Sequence, residues 1–246
     1  MTVTTIDDPS DLSRLYADAP NGVRANMIFS ADGAAAFRGR AGTLSCPADQ
    51  NLLRDLRAFA DVVLVGAGTA RAERYGPARL TEAQQALRGA DRGLAPPPIA
   101  VVSRTGQLPP TLFGDASSIP ILVTSAGAVR AHSLDSDPRW RLLVAGEDTV
   151  DVDAAIQQLR ALGMQRILCE GGPTLLDQLV DAGVIDEICV TIAPLLAGSQ
   201  PVGARTPSQR SVPASLELRH AVLCDSYLFL RYGRHSTRAR TGPPMR

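Results

Sequence analysis

Short runs of consecutive apolar residues alternate, through most of the chain, with stretches in which apolar positions recur every three or four residues. The runs at residues 23–29, 62–65, 99–102, 121–124, 142–144, 166–169 and 187–192 have strand length and no helical period, so each predicts a β-strand. The three- and four-residue spacing predicts helices over 48–59, 152–162 and 173–182. In the first of these, Leu52, Leu53, Leu56 and Phe59 form one apolar stripe, with Pro47 just ahead of it and Ser45 as the candidate N-cap. Strand and helix signals that alternate in this way predict an α/β fold. Near the end the pattern changes: residues 216–224 and 227–232 flank the short turn Asp225-Ser226 and predict an antiparallel hairpin, making the sheet mixed but mainly parallel. Segments 85–98 and 198–213, rich in Gly, Pro and polar residues, predict long loops. The organisation expected is an N-terminal extension over 1–21, one domain over 22–232, and a disordered tail over 233–246.

Two glycine turns interrupt this pattern where chemistry is expected. Glu170-Gly171-Gly172-Pro173-Thr174-Leu175-Leu176 follows one strand and opens a helix. Glycines let a ligand approach the backbone, Pro173 suits the first helical position, and the unpaired amides of the opening turn can face a pyrophosphate. An ordinary tight connection has the same signature. Gly66-Ala67-Gly68-Thr69 follows the strand at 62–65, but Arg71 stands where a Rossmann fingerprint needs its third glycine, so that fold is disfavoured. Arg71, Glu73 and Arg74 come directly after, as substrate contacts or as a solvated charged helix. Ser103-Arg104, ending the strand at 99–102, offers a hydroxyl and a forked cation suited to a 2′-phosphate, which would select NADPH over NADH. Thr124, at the end of the next strand, is placed with the same cofactor group.

Composition removes several alternatives. The chain has 246 residues, 45% hydrophobic and 20% charged, with 25 basic and 25 acidic groups, enough for one large packed domain or two small ones. Every basic residue is arginine, so catalysis by a lysine amine is excluded and anion binding falls to arginines or amides. The body holds no block of like charge, which argues against a nucleic-acid partner. No apolar stretch resembles a signal core or a membrane span, and a cytoplasmic location is expected. Cys46, Cys169, Cys189 and Cys224 occur singly without a nearby histidine at ligand spacing, so neither a metal site nor a disulfide is expected. His132, His220 and His235 join no recognisable triad.

Taken in order, several segments resemble one family. They are Arg24-Ala25-Asn26-Met27-Ile28-Phe29-Ser30-Ala31-Asp32-Gly33, then Leu56-Arg57-Ala58-Phe59-Ala60-Asp61 leading into Val65-Gly66-Ala67-Gly68-Thr69, then the Glu170–Leu176 turn and Ile192-Ala193-Pro194. Together they resemble the reductase domain of the bifunctional riboflavin-biosynthesis deaminase-reductase, whose fold is dihydrofolate reductase-like. The zinc deaminase half is not expected, since no HxE followed by PCxxC occurs, and a stand-alone reductase is expected. The resemblance implies NADPH-dependent reduction of a ribosylamino-pyrimidine phosphate to the ribitylamino form. It implies cofactor contacts at Gly66, Gly68, Thr69, Gly171, Gly172, Pro173, Thr174 and Leu175. Substrate contacts are implied at Asn26, Ser30, Arg57, Arg71 and Glu170. Asp32 and Glu73 are the candidate catalytic carboxylates, and a homodimer is implied.

Departures from the family pattern keep other readings open. Where members commonly carry an Asp-Asp-Pro segment, this chain has Glu73-Arg74-Tyr75-Gly76-Pro77, and Ala34 replaces a basic residue. A phosphate contact could come instead from Arg71, Arg74 or Arg79. The alternatives are reduction of dihydrofolate or another pterin-like heterocycle, and a nucleotide-binding protein without turnover.

Overall fold

The computed structural model describes residues 3–89, 93, 95–115, 118–198, 208 and 210–234. Residues 199–207 and 209 of the expected loop, and 235–246 of the expected tail, lie outside the described residues. The chain runs β1 (Thr4–Thr5), α1 (Ser10–Tyr16), β2 (Gly22–Ser30), α2 (Pro47–Phe59), β3 (Val62–Gly66), α3 (Ala67–Ala72), α4 (Glu82–Arg88), β4 (Ile99–Val102) and β5 (Ile121–Thr124). It continues through α5 (Ala126–His132), β6 (Arg141–Val144), α6 (Val152–Ala161), β7 (Arg166–Cys169), α7 (Pro173–Asp181), β8 (Ile185–Ala193), β9 (Leu216–Cys224) and β10 (Tyr227–Arg234).

The described strands form one sheet in the order β1-β9-β10-β8-β2-β7-β3-β4-β5-β6. From β8 to β6 every pairing is parallel, and β10 runs antiparallel to both β8 and β9. The expected mixed, mainly parallel α/β sheet is therefore observed. The expected hairpin is also present, and it turns at Asp225 and Ser226 with φ of 48° and 67°. Two successive positive φ values are what a two-residue hairpin turn requires.

The apolar runs are continuous because helices cover the sheet on both faces. In β3, Val63 and Val65 pack with Leu52, Leu56 and Phe59 of α2 on one face. Val62 and Leu64 pack with Ile156 and Leu159 of α6 and Leu175 and Leu179 of α7 on the other.

Four expectations need correction. Ser45 does not cap α2: Cys46 occupies the N-cap without a side-chain bond, and the Ser45 hydroxyl donates to Asp49 Oδ2 at 2.6 Å. The loop expected from 85 begins inside α4, whose Thr81 and Gln84 form a complete capping box. Arg88, at the end of that helix, donates to the carbonyls of Ala58 and Ala60 and so closes the C-terminus of α2. The region read as an extension contributes Leu12 and Tyr16 to the core, each 1% exposed. β10 continues to Arg234, two residues into the expected tail.

Candidate functional site

A cleft of about 630 Å³ opens beyond the carboxyl ends of β3 and β7, the position at which open parallel sheets hold ligands. One wall is β2 from Asn26 to Phe29 and another is the face of α2 carrying Asp49, Leu53 and Arg57; the loop between those elements contributes Ala35, Gly39 and Ala41. The two glycine turns close the far side. Gly66 N–H donates to the Gly171 carbonyl at 2.9 Å, so the turns after β3 and β7 are tied to each other. Gly172 has φ +59°, and a Cβ there would lie 2.8 Å from Thr69 Oγ1. A side chain there would displace the Thr69 hydroxyl or push the two turns apart.

Across the cleft, Arg57 grips Glu170 with a two-pronged pair, Nε to Oε1 and Nη2 to Oε2, both at 2.7 Å. Tyr75 donates its hydroxyl to Glu170 Oε2 at 2.6 Å, and the Arg57 guanidinium lies 5.4 Å from the Tyr75 ring centre. Burial opposes the charge on Arg57, but the Glu170 carboxylate outweighs it and raises the guanidinium pKa. Burial, reinforced by the Glu170 charge, pushes the Tyr75 phenol well above its ordinary value, so it remains a donor. A carboxylate held by a bidentate cation and a phenol is geometrically fixed.

Two further carboxylates line the cleft. Glu73 accepts from the Ala41 amide at 2.6 Å and lies 3.6 Å from Arg40, which pins the loop over the cleft to the end of α3. Asp49 is 8% exposed and takes its bonds from the hydroxyls of Ser45 and Thr191. Burial raises its pKa, with both hydroxyls acting against the shift. The Asn26 Oδ1 atom is buried at the same cleft without a hydrogen-bond partner.

A family model described as the RibD C-terminal domain matches residues 21–229. The chain belongs to the RibD C-terminal domain family. It is thereby an oxidoreductase, of a family that uses nicotinamide cofactors. Among curated relatives, it is 28% identical over 178 residues to the 2,5-diamino-6-ribosylamino-4(3H)-pyrimidinone 5′-phosphate reductase of Methanothermobacter thermautotrophicus, covering 71% of this chain and 78% of that one. A solved pyrimidine reductase-like protein from Corynebacterium diphtheriae superposes with a TM-score of 0.72 at 26% identity, over 89% of this chain and 94% of that one. Enterococcus faecalis dihydrofolate reductase superposes with a TM-score of 0.50 at 9% identity, over 88% of this chain and 98% of that one, and shares the fold alone.

The RibD-family cleft gathers Asn26, Arg57, Gly68, Thr69, Glu73, Glu170, Gly171, Gly172 and Pro173 from the expected site residues. These fit a dinucleotide. Open space lies above Gly68, and the first amides of the nine-residue α7 precede its first internal bond, Leu176 N–H to the Gly172 carbonyl. Leu175 can contribute only its amide to the cleft, because its side chain is packed in the core.

Other expected residues are placed elsewhere. Asp32 does not line the cleft. Its carboxylate accepts from Ser30 Oγ at 2.5 Å and from the amides of Ala197 and Gly198, and these donors, the Ser30 hydroxyl first, lower its pKa to about 2. Three donors already occupy this carboxylate outside the lining of the cleft, which places Asp32 as a turn-forming residue. Ser30 is consumed in the same turn, where its hydroxyl also accepts from Ala34 N–H. Arg71 reaches away to the Gln107 carbonyl. Ser103 Oγ, nearly buried, accepts the amides of Thr105 and Gly106 and so shapes its own turn. Thr124 is fully buried and offers no surface to a cofactor. Arg104 is exposed at the end of β4, outside the residues lining the cleft.

The sequence reading missed Asp49 and Tyr75, while Arg74, named there as a candidate phosphate contact, lines the cleft. Asp49 had a signal: residues 49, 53 and 57 recur at four-residue spacing and share a helix face, and Leu53, read there as part of the apolar stripe, lines the cleft instead of the core. Tyr75 had none, since its partner Glu170 is 95 residues away in the chain. Among the described residues no group of His, Cys, Asp and Glu is arranged to hold a metal ion, and no helix is long and apolar enough to cross a membrane.

Proposed function

We propose that this protein reduces a ribosylamino-pyrimidine 5′-phosphate to its ribitylamino form with NADPH, as a step of riboflavin biosynthesis. The observation that carries the reading is that two mutually bonded glycine turns and the Arg57–Glu170–Tyr75 cluster face one cleft, sized for a cofactor end and a substrate together. When bound, the cofactor supplies a hydride to sugar C1′ of the ring-opened substrate. The chain's own work is to hold, orient and exclude water.

The amides of Gly172, Thr174 and Leu175, with Thr69, hold the cofactor phosphates. Glu170, itself bonded by Tyr75, fixes Arg57 through Nε and Nη2, leaving Nη1 for an oxygen of the substrate. Arg74 lines the cleft, is exposed, and has no ion-pair partner among the described residues, which makes it the phosphate contact in preference to Arg71. Its backbone sits at φ 53°, a conformation a non-glycine residue adopts at a cost of about 1 kcal/mol. The loop pinned by Glu73 covers the reacting carbon. Arg104 is the remaining candidate for the 2′-phosphate, and a homodimer in the cytoplasm is the expected setting.

The experiment follows NADPH and NADH oxidation with the ribosylamino-pyrimidine phosphate and, separately, with dihydrofolate. The expected result is turnover of the pyrimidine alone, faster with NADPH, with Arg104→Ala weakening NADPH about tenfold and leaving NADH unchanged. Turnover of dihydrofolate alone, or cofactor binding with neither substrate consumed, would overturn the reading.

A further inference from the structure

The three carboxylates of the cleft differ in what is left for a ligand. Glu170 is ion-paired with Arg57 and bonded by Tyr75, and Glu73 is bonded by the Ala41 amide with Arg40 at 3.6 Å, so a cation stands against each. Asp49 receives only neutral hydroxyls, from Ser45 at 2.6 Å and from Thr191, and no cation approaches it among the described residues. It stands on the first turn of α2 and lines the same cleft as β2 residues 26–29, among them Asn26, whose Oδ1 is an acceptor with no donor.

A buried pocket in which a carboxylate and an amide oxygen await donors is incomplete until N–H groups arrive. The pyrimidine ring that the proposed function brings here exists in two forms. The 2-amino-4-oxo form presents N3–H and the 2-amino group side by side, matching the two oxygens of a carboxylate. The uracil form presents N3–H between two carbonyl oxygens, which a carboxylate repels.

Resting on the reductase reading, we propose that Asp49 is the specificity-determining residue of the cleft, accepting N3–H and the 2-amino group of the substrate ring, so that the protein acts on the 2,5-diaminopyrimidinone phosphate in preference to the aminouracil phosphate. Ser45 and Thr191 hold the carboxylate toward the ring. An enzyme site built to bond a polar group rejects the analogue lacking it because its own buried polar atoms are then left unpaired.

The test measures binding of both pyrimidine nucleotides by calorimetry and their turnover with NADPH, in the wild type and in Asp49→Asn. The expected result is a preference of tenfold to about a hundredfold for the 2-amino form in both Kd and kcat/KM, falling to near parity in Asp49→Asn with NADPH affinity unchanged. Ser45→Ala, which keeps the carboxylate and removes one of its supports, is expected to reduce the preference only partly. Equal affinity for the two rings in the wild type, or an undiminished preference in Asp49→Asn, overturns the proposal even if both are reduced. A preference in binding that Asp49→Asn abolishes, without turnover of either ring, supports the proposal and removes the reductase reading instead.

Discussion

Asp32 and Asp49 are displaced in opposite directions by their surroundings, and each displacement has a consequence for stability. The folded state binds the Asp49 proton more tightly than the unfolded chain, whose carboxyl has its ordinary value of 3.8. Ionising it therefore opposes folding above that range, and the penalty disappears as pH falls below 3.8. Asp49→Asn is expected to be more stable than the wild type at pH 7 and equal to it in acid, read from denaturant midpoints, while its turnover falls. A neutral-pH loss of stability would show the carboxylate to be structural. For Asp32 the sign reverses: its pKa of about 2 means that its bonds to Ala197 and Gly198 stabilise the fold above 3.8 and are lost as pH falls through about 2. Asp32→Asn is expected to speed hydrogen exchange at those two amides and to leave NADPH binding unchanged. A collapse of turnover without faster exchange would return Asp32 to the chemistry. Truncating Tyr75 to Phe removes one donor from buried Glu170 and is expected to cost about 1–2 kcal/mol. Arg57→Ala strands that carboxylate and is expected to cost about 3 kcal/mol or more, so activity in that variant must be read beside its stability.

At the scale of elements, the contact between the two glycine turns is the feature most sensitive to a single methyl group. Gly172→Ala adds a Cβ 2.8 Å from Thr69 Oγ1 at a backbone angle that already disfavours a side chain. The backbone conformation, φ 59° with ψ 145°, alone costs about 1–3 kcal/mol, and the Thr69 hydroxyl must turn away or the turns separate to relieve the contact. A tenfold or larger loss of NADPH affinity is expected, measured by fluorescence titration, and unchanged affinity would detach the turns from the cofactor. The glycine turns were legible in the sequence because each follows an apolar run of strand length and needs no distant partner. The central strands were legible for the same reason: Val62–Val65 is buried on both faces and cannot be mistaken for a surface helix. The short helices were not. α1, α4 and α5 have seven residues each, too few for a period to emerge from noise, although the Thr81–Gln84 capping box marked the start of α4.

For the whole molecule, the amino-terminal segment is joined to the carboxyl-terminal strands. β1 pairs with β9, and Arg231 of β10 binds both Glu187 of β8 and Asp18 beyond α1. Arg24 of β2 meets the same Glu187 and donates to the Tyr16 carbonyl. Leu12→Ala is therefore expected to cost about 3 kcal/mol in the denaturant midpoint of the whole protein, whereas an independent extension would show no change. None of this was legible beforehand, because residues 1–21 carry no strong period and the strand and ion-pair partners of Thr4 and Asp18, Val222 and Arg231, lie at the other end of the chain. The same limit applied to the site: the sequence named Arg57 and Glu170 separately, and only the parallel packing of β7 between β2 and β3 brings them together. Hydride delivery in this cleft is the central step of the proposed function. The direct measurement uses NADPH carrying deuterium on the transferable C4 position and mass spectrometry of the ribitylamino product. One deuterium at sugar C1′ is the expected result, and a product formed without deuterium, or no product, would contradict it.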